Sequence, residues 1–318
     1  MNLRARVEMA IAVVAIAAIA SAQTGRPSVT ALEVAAYRAI GAKHPDPAIR
    51  NEDRMAERLL GPEERAILKE VGAEAVLAAL TMETDQAWAS LGNRSVFARG
   101  VHVRTRHIDA VLSESLKTGS TQVVILGAGL DSRAYRFGDR LGDARVFELD
   151  LPQTQEYKKK RVREVFGALP AHVTYVPIDF AKQELGDVLA AAGYDRKRKT
   201  IFIWEGVTMY IPEAGVDATL RAVARNAVPG SLIVFDYFLQ SALEARTSVL
   251  REVAKNVAAV GEPFVFGMPG EDASAFVAER GLKVTSDFGS ADLGARYLPK
   301  GNNLPTPSAN HVCTAVVP

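Results

Sequence analysis

Gln122-Val-Val-Ile-Leu126-Gly127-Ala-Gly129-Leu-Asp131-Ser132-Arg133 is the stretch that decides the fold. Gln122 to Leu126 is a short apolar run rich in β-branched residues, the mark of a buried strand. Gly127 and Gly129 follow at once. A strand ending in Gly-x-Gly lets the backbone turn sharply and lets a ligand approach where a Cβ would clash. Asp131 or Ser132 is placed to cap a helix starting near Arg133. A second apolar run, Arg145 to Leu149, ends in Asp150, 21 residues after Gly129. In Rossmann-type sheets a carboxylate at that place accepts hydrogen bonds from the two ribose hydroxyls of an adenosine ligand.

The full dinucleotide fingerprint would have a third glycine at position 132, where Ser132 stands. That glycine permits close helix packing under a pyrophosphate. Its absence favours an adenosyl ligand without a diphosphate, and S-adenosyl-L-methionine is the candidate. The bland reading of a bare Gly-x-Gly is a tight turn; the spacing to Asp150 weighs against it.

The 318 residues suffice for one large domain or two small ones. A hydrophobic content of 48% supports a sizeable core, and 24% charged residues is ordinary for a soluble protein. A net charge of +1 gives no global reason to expect nucleic acid or a membrane surface as partner. A single cysteine, Cys313, excludes an intrachain disulfide and a Cys-rich metal site; its apolar surroundings point to burial in a strand. No His, Asp and Glu spacing suggests a metal site, and no Gly-x-Ser-x-Gly suggests a hydrolase.

Residues 1–22 carry Arg4 and Arg6, an apolar run from Met9 to Ala20, and Ala20-Ser21-Ala22, the layout of a secretory signal peptide. Glu8 beside the run and a cytosolic cofactor argue instead for a mis-assigned start or an amphiphilic extension. Both readings stay open, so the expected location is cytoplasmic, or exported if the leader works as a signal. The run is short for a membrane span. The leader is set apart from one domain over 23–318, with a helical cap (23–118) and a Rossmann-like core (119–318).

Thr30-Ala-Leu-Glu33 reads as a capping box for a helix over about 31–40. Helices are expected over 51–60, 62–80 and 102–116, with 81–100 unclear. After Asp150, helices at 152–166, 183–192 and 212–228 alternate with strands at 173–178, 200–204 and 231–237. That alternation implies right-handed βαβ units and a mostly parallel sheet. Helices at 240–258 and 271–280 follow. Strands at 282–288 and 311–317, with no helix expected between them, are suited to antiparallel pairing at an edge. The charge runs Lys158–Arg163 and Arg196–Lys199 read as solvated faces.

Three strand ends carry acids: Asp150, Asp179 and Glu205. Ligands of open α/β sheets bind at such ends. The surrounding words are Leu-Gly-Ala-Gly-Leu-Asp-Ser-Arg-Ala-Tyr-Arg, Phe-Glu-Leu-Asp-Leu-Pro and Trp-Glu-Gly-Val-Thr-Met-Tyr-Ile. With Arg104-Thr-Arg-His-Ile-Asp109 and Pro27-Ser-Val-Thr-Ala-Leu32, they resemble the leucine carboxyl methyltransferase family. The likeness is to its bacterial branch of S-adenosyl-L-methionine-dependent methyltransferases and covers about 27–318. It implies a class I methyltransferase fold: a doubly wound seven-stranded sheet with an antiparallel final hairpin and an N-terminal helical cap. It further implies that Arg104 meets the methionine carboxylate of the cofactor and that Gly127, with Gly129, lies beneath it. Asp150 then binds the ribose, and Asp179 and Phe180 flank the adenine. The branch often has leucine where Phe180 stands. Glu205 lies near the methionine amino group. Arg106 is an alternative to Arg104.

The expected activity is an O-methyltransferase acting on a carboxyl or hydroxyl of a small molecule. No catalytic residue is assigned; Tyr210 and Asp236 are candidates for a base, and Tyr210 equally for shaping the acceptor pocket. His102 and His107 suit packing or solvent-facing roles. Two alternatives are kept. A nicotinamide-dependent oxidoreductase is disfavoured by Ser132 and by the lack of a Tyr-x-x-x-Lys pair. A non-catalytic nucleoside-binding protein would keep the fold without turnover.

Overall fold

The structure, a computed structural model, describes residues 27–180, 182–245, 249–304 and 309–318. The leader 1–22 lies outside the described residues.

Seven strands form one sheet in the order β3-β2-β1-β4-β5-β7-β6. They are β1 (Gln122–Leu126), β2 (Arg145–Asp150), β3 (Val173–Pro177), β4 (Thr200–Trp204), β5 (Leu232–Phe238), β6 (Lys283–Gly289) and β7 (Asn310–Val316). The first five pair in parallel, and β7 pairs antiparallel with both β5 and β6. The order reverses between β1 and β4. The crevice at the carboxyl ends of these two strands is therefore where such a sheet binds its ligand.

Strand residues alternate between two cores. Val123, Ile125, Val146, Ile201, Ile203 and Val234 face one apolar cluster, shared with the helices that precede β1. Val124, Leu126, Phe147, Phe202, Trp204 and Phe235 face the other. The second is covered by α9 (Leu185–Ala191), α10 (Glu213–Asn226) and α13 (Ser274–Ala278). Cys313 is buried in β7, as expected.

Among the described residues, six helices precede β1: α1 (Val29–Gly41), α2 (Met55–Leu59), α3 (Pro62–Glu70), α4 (Glu74–Ala79), α5 (Thr84–Ser90) and α6 (Arg94–Lys117). Several boundaries differ from expectation. The start of α1 is capped by Ser28, whose Oγ accepts from the Ala31 amide at 3.1 Å. Thr30 instead donates to Glu262. The expected helix 51–60 shortens to Met55–Leu59. Asn51 Oδ1 and Asp53 Oδ1 accept the amides of Asp53 and Ala56, each at 2.9 Å, and hold a turn before it. The expected helix 62–80 splits at Gly72, which has a φ of +73°. The helix expected over 102–116 begins at Arg94, absorbing part of the unclear stretch.

Helix α7 (Arg133–Arg136) follows β1, and α8 (Pro152–Phe166) follows β2. The long helix expected at 240–258 is two pieces, α11 (Gln240–Glu244) and α12 (Val249–Ala259). Antiparallel pairing of the last two strands holds, but α14 (Ser290–Tyr297) lies between them, where no helix was expected. Leu293 of α14 is buried in the core shared with α6. The Lys158–Arg163 run is only partly a solvated face. Lys158 and Arg161 turn inward, paired with Glu148 and Glu64. In contrast, Arg196 to Arg198 are exposed.

Candidate functional site

The turn after β1 is built around two glycines with positive φ, +65° at Gly127 and +39° at Gly129. A Cβ on Gly127 would run into Val207 Cγ2, just past β4. A Cβ on Gly129 would touch Ala31 of α1 at 3.7 Å. The start of α1 thus lies directly over the loop. The Asp150 carboxylate closes it from the β2 side. Its Oδ2 accepts the Gly129 amide at 2.6 Å, and its Oδ1 accepts the Leu151 amide at 2.7 Å. Burial pushes the Asp150 carboxyl up, against the pull of these two amides. A carboxylate has about four lone-pair directions, so each oxygen keeps acceptor capacity for a ligand hydroxyl.

At the end of β4, Glu205 sits between two arginines. Its Oε1 accepts from Arg104 Nε at 2.8 Å and its Oε2 from Arg133 Nη1 at 2.7 Å. Burial alone would raise Glu205, but Arg133 and Arg104 outweigh it and hold the carboxyl well below its usual range. Arg104 also donates through Nη1 to Asp236 at 2.6 Å. Its side chain is 6% exposed, which excludes a surface-arginine role. Nη2 remains, facing Gly206. Arg106 is not an alternative here. It donates to the carbonyls of Ala48 and Ile49 and covers the Tyr297 ring.

Asp236 is fully buried, and its Oδ1 accepts the Gly206 amide at 2.5 Å. Its oxygens are committed to Gly206 and Arg104, an unfavourable arrangement for a proton acceptor. Tyr210 is half-buried, its ring 5.3 Å from that of Phe264. It interacts with Thr30, and burial and then Glu262 push its phenol above the ordinary value of 10. That shift works against a phenolate at this position. Asp179 and Phe180 stand at the end of β3. Asp179 pairs with Lys182 at 2.8 Å, and Phe180, like Val207, packs against the second core cluster. His102 and His107 are packing residues. Burial lowers them to about 3 and about 4, and they meet Trp88 and Phe288 edge-on.

Sequence reasoning missed the residue that joins these parts. Arg133 donates through Nε to Asp109 of α6 at 2.8 Å, and through Nη1 to both Asp131 and Glu205. The N-cap of α7 is Ser132, which makes no side-chain cap bond; Asp131, one residue earlier, accepts the Arg133 amide through Oδ1 at 2.7 Å. The Ser132 hydroxyl instead donates to Asp53 at 2.5 Å. Arg136 donates to Asp109 at 2.6 Å, and Arg38 of α1 bonds Asp53 at 2.8 Å and the Leu130 carbonyl at 2.7 Å. The available signal was charge inside apolar words, in Asp131-Ser-Arg133-Ala-Tyr-Arg136 and at Asp109.

The sheet order and a glycine turn facing a strand-end acid define a nucleoside-binding α/β enzyme of the class I methyltransferase type. The sequence profile of the leucine carboxyl methyltransferase family matches residues 31–224. The chain belongs to that family, and it is an S-adenosyl-L-methionine-dependent methyltransferase. A relative in Mycobacterium sp. strain KMS is 33% identical over 277 residues, covering 83% of this chain and 86% of its own. YktD of Bacillus subtilis is 29% identical over 216 residues, 67% of this chain and 71% of its own. Both are named, provisionally, as S-adenosyl-L-methionine-dependent methyltransferases. The crystal structure of a DUF574 family protein from Streptomyces avermitilis matches with a TM-score of 0.55, covering 88% of this chain and all of that one. At 13% identity this is a likeness of fold. Among the described residues, no helix is long and apolar enough to cross a membrane.

Proposed function

We propose that the chain methylates a carboxyl or hydroxyl oxygen of a small-molecule acceptor, within one domain spanning 23–318 whose residues 23–118 form the cap. The observation that carries this reading is the grouping, at the sheet's switch point, of the Gly127–Gly129 turn, Asp150 and the Arg104–Glu205 pair. The turn leaves no room for a Cβ at Gly127, which suits a loop that a cofactor lies against.

In this reading Asp150 accepts the ribose hydroxyls, while Asp179 and Phe180 flank the adenine. Arg104 Nη2, the nitrogen left over from Glu205 and Asp236, meets the carboxylate of the amino-acid end. Glu205, held ionised by its arginines, faces the ammonium. The bound cofactor supplies a sulfonium methyl. The residues' part is to align an acceptor oxygen with it in a site closed to water. A carboxylate acceptor needs no general base. For a hydroxyl, Tyr210 orients the acceptor as a hydrogen-bond donor. Cytoplasmic residence follows the cofactor's own distribution.

The test is calorimetric titration of the 23–318 protein with S-adenosyl-L-methionine, with NADH as control, followed by methyl-transfer assays on carboxylic acids and alcohols. Micromolar binding of the first, none of the second, and transfer to oxygen support the reading. Preference for NADH refutes it. Binding without turnover on any acceptor leaves a nucleoside-binding protein.

A further inference from the structure

The guanidinium of Arg133 joins the cap to the turn after β1 and to the end of β4. Its side chain is 2% exposed. It bonds Asp109 from α6, Asp131 from the turn after β1, and Glu205 from the end of β4. Three acids meet on this one arginine, with Arg136 also on Asp109 and Arg104 also on Glu205. Glu205 is the member of the cluster that the Proposed function places against the cofactor. Each of its oxygens is gripped by a different arginine, which fixes both the plane of the carboxylate and its ionised state.

We infer that Arg133 is a positioning residue: it aims Glu205 at the ammonium of the cofactor's amino-acid end and ties that aim to the cap through Asp109. This rests on the reading of Glu205 given above. Loss of Arg133 leaves Glu205 held by Arg104 alone, free to turn, beside Asp131 without its cation and Asp109 held by Arg136 alone. The consequence is specific to the amino-acid end. The ribose end, held by Asp150 through two backbone amides, makes no contact with Arg133.

Two ligands separate the ends. S-adenosylhomocysteine and 5′-methylthioadenosine share the adenosine and a neutral thioether, and only the first carries the ammonium and carboxylate. Both are titrated into the parent protein and into Arg133→Gln, Arg133→Lys and Glu205→Gln. The expected result is about tenfold or greater loss of S-adenosylhomocysteine affinity in Arg133→Gln and Glu205→Gln, the scale of a charge-assisted contact. Affinity for 5′-methylthioadenosine stays unchanged. Arg133→Lys falls between, because an ammonium keeps the charge without the planar fork. Equal loss of both ligands in the Arg133 variants, or no loss of either, overturns the inference. An unchanged ratio of the two ligands in Glu205→Gln refutes the placement of Glu205 itself. If Arg133→Gln does not fold, Arg133→Lys and Asp109→Asn decide the matter by the same ratio.

Discussion

Two buried charge clusters flank the turn after β1, and they are built to opposite ends. The first gathers Asp109, Asp131 and Glu205 on Arg133, with Arg104 behind. The second lies on the cap-facing side of β2. There Glu148 takes Lys158 at 2.8 Å and the Tyr135 hydroxyl at 3.1 Å, and Tyr135 meets Tyr175 at 3.0 Å. The second cluster is closed, with one acid, one ammonium and two phenols. Burial lifts Glu148 to about 6, against the pull of Lys158. In the first, Arg133 and Arg104 outweigh burial and hold Glu205 far below the usual range. A cluster that lets its carboxyl approach neutrality is made to be buried. One that keeps its carboxylate charged holds it between two guanidinium groups at the crevice. Lys158 also reaches the Ala128 carbonyl at 3.3 Å, so the closed cluster props the turn that the open one serves.

This contrast is most easily broken at Lys158. Lys158→Met leaves Glu148 buried without its cation, and unfolding by urea at pH 7 should show a loss of about 3–5 kcal/mol. The protein that remains folded should keep its preference for S-adenosylhomocysteine over 5′-methylthioadenosine. Loss of that preference would merge the two clusters into one functional unit. Asp150→Ala acts the other way. Cofactor affinity by calorimetry should fall by about 1.5–3 kcal/mol, the value of charge-assisted hydrogen bonds. Unchanged affinity removes Asp150 from the site.

The next effect is a pH dependence. Glu148 is raised in the folded state from 4.5 to about 6. A carboxyl raised by folding contributes stability that is fully present below pH 4.5 and lost as pH rises through about 6. At about 1.4 kcal/mol per pKa unit this is about 2 kcal/mol. Glu148→Gln should flatten that part of the stability profile between pH 4.5 and 6 in denaturant titrations. A slope that persists places its origin elsewhere.

Much of the open site was legible and most of the closed one was not. Strands β1, β2 and β4 announce themselves as β-branched and aromatic runs ending at Gly127, Asp150 and Glu205, so the acids at their ends could be placed from sequence. Glu148 and Lys158 are charged, and hydropathy sends charge outward. Yet Gln155, Lys158 and Val162 share the inward face of α8 at helical spacing. A polar inward face cannot be told from a solvated one without the partner it meets. Arg133 was hidden differently. Its partners lie 24 and 72 residues away in the chain, and no local period encodes such a meeting. The helix at Ser290–Tyr297 escaped because Gly289 and Gly294 disguise a short amphipathic turn whose burial rests on Leu293.

The smallest effect concerns Tyr210, which touches neither cluster and separates acceptor chemistry from cofactor binding. Its phenol is raised above 10 by burial and then by Glu262, so it is protonated across the working range. If Tyr210 only orients an acceptor, Tyr210→Phe removes one neutral hydrogen bond, about 0.5–1.5 kcal/mol or up to about tenfold in kcat/KM. Cofactor affinity stays the same, and the pH–rate profile keeps its shape. A proton acceptor at this position would behave otherwise. Its removal would cost about a hundredfold or more and erase a limb of the profile. The two outcomes also divide the acceptors, since only a hydroxyl has a proton to lose. A steep, pH-dependent loss in Tyr210→Phe would point to a hydroxyl acceptor and against a carboxylate.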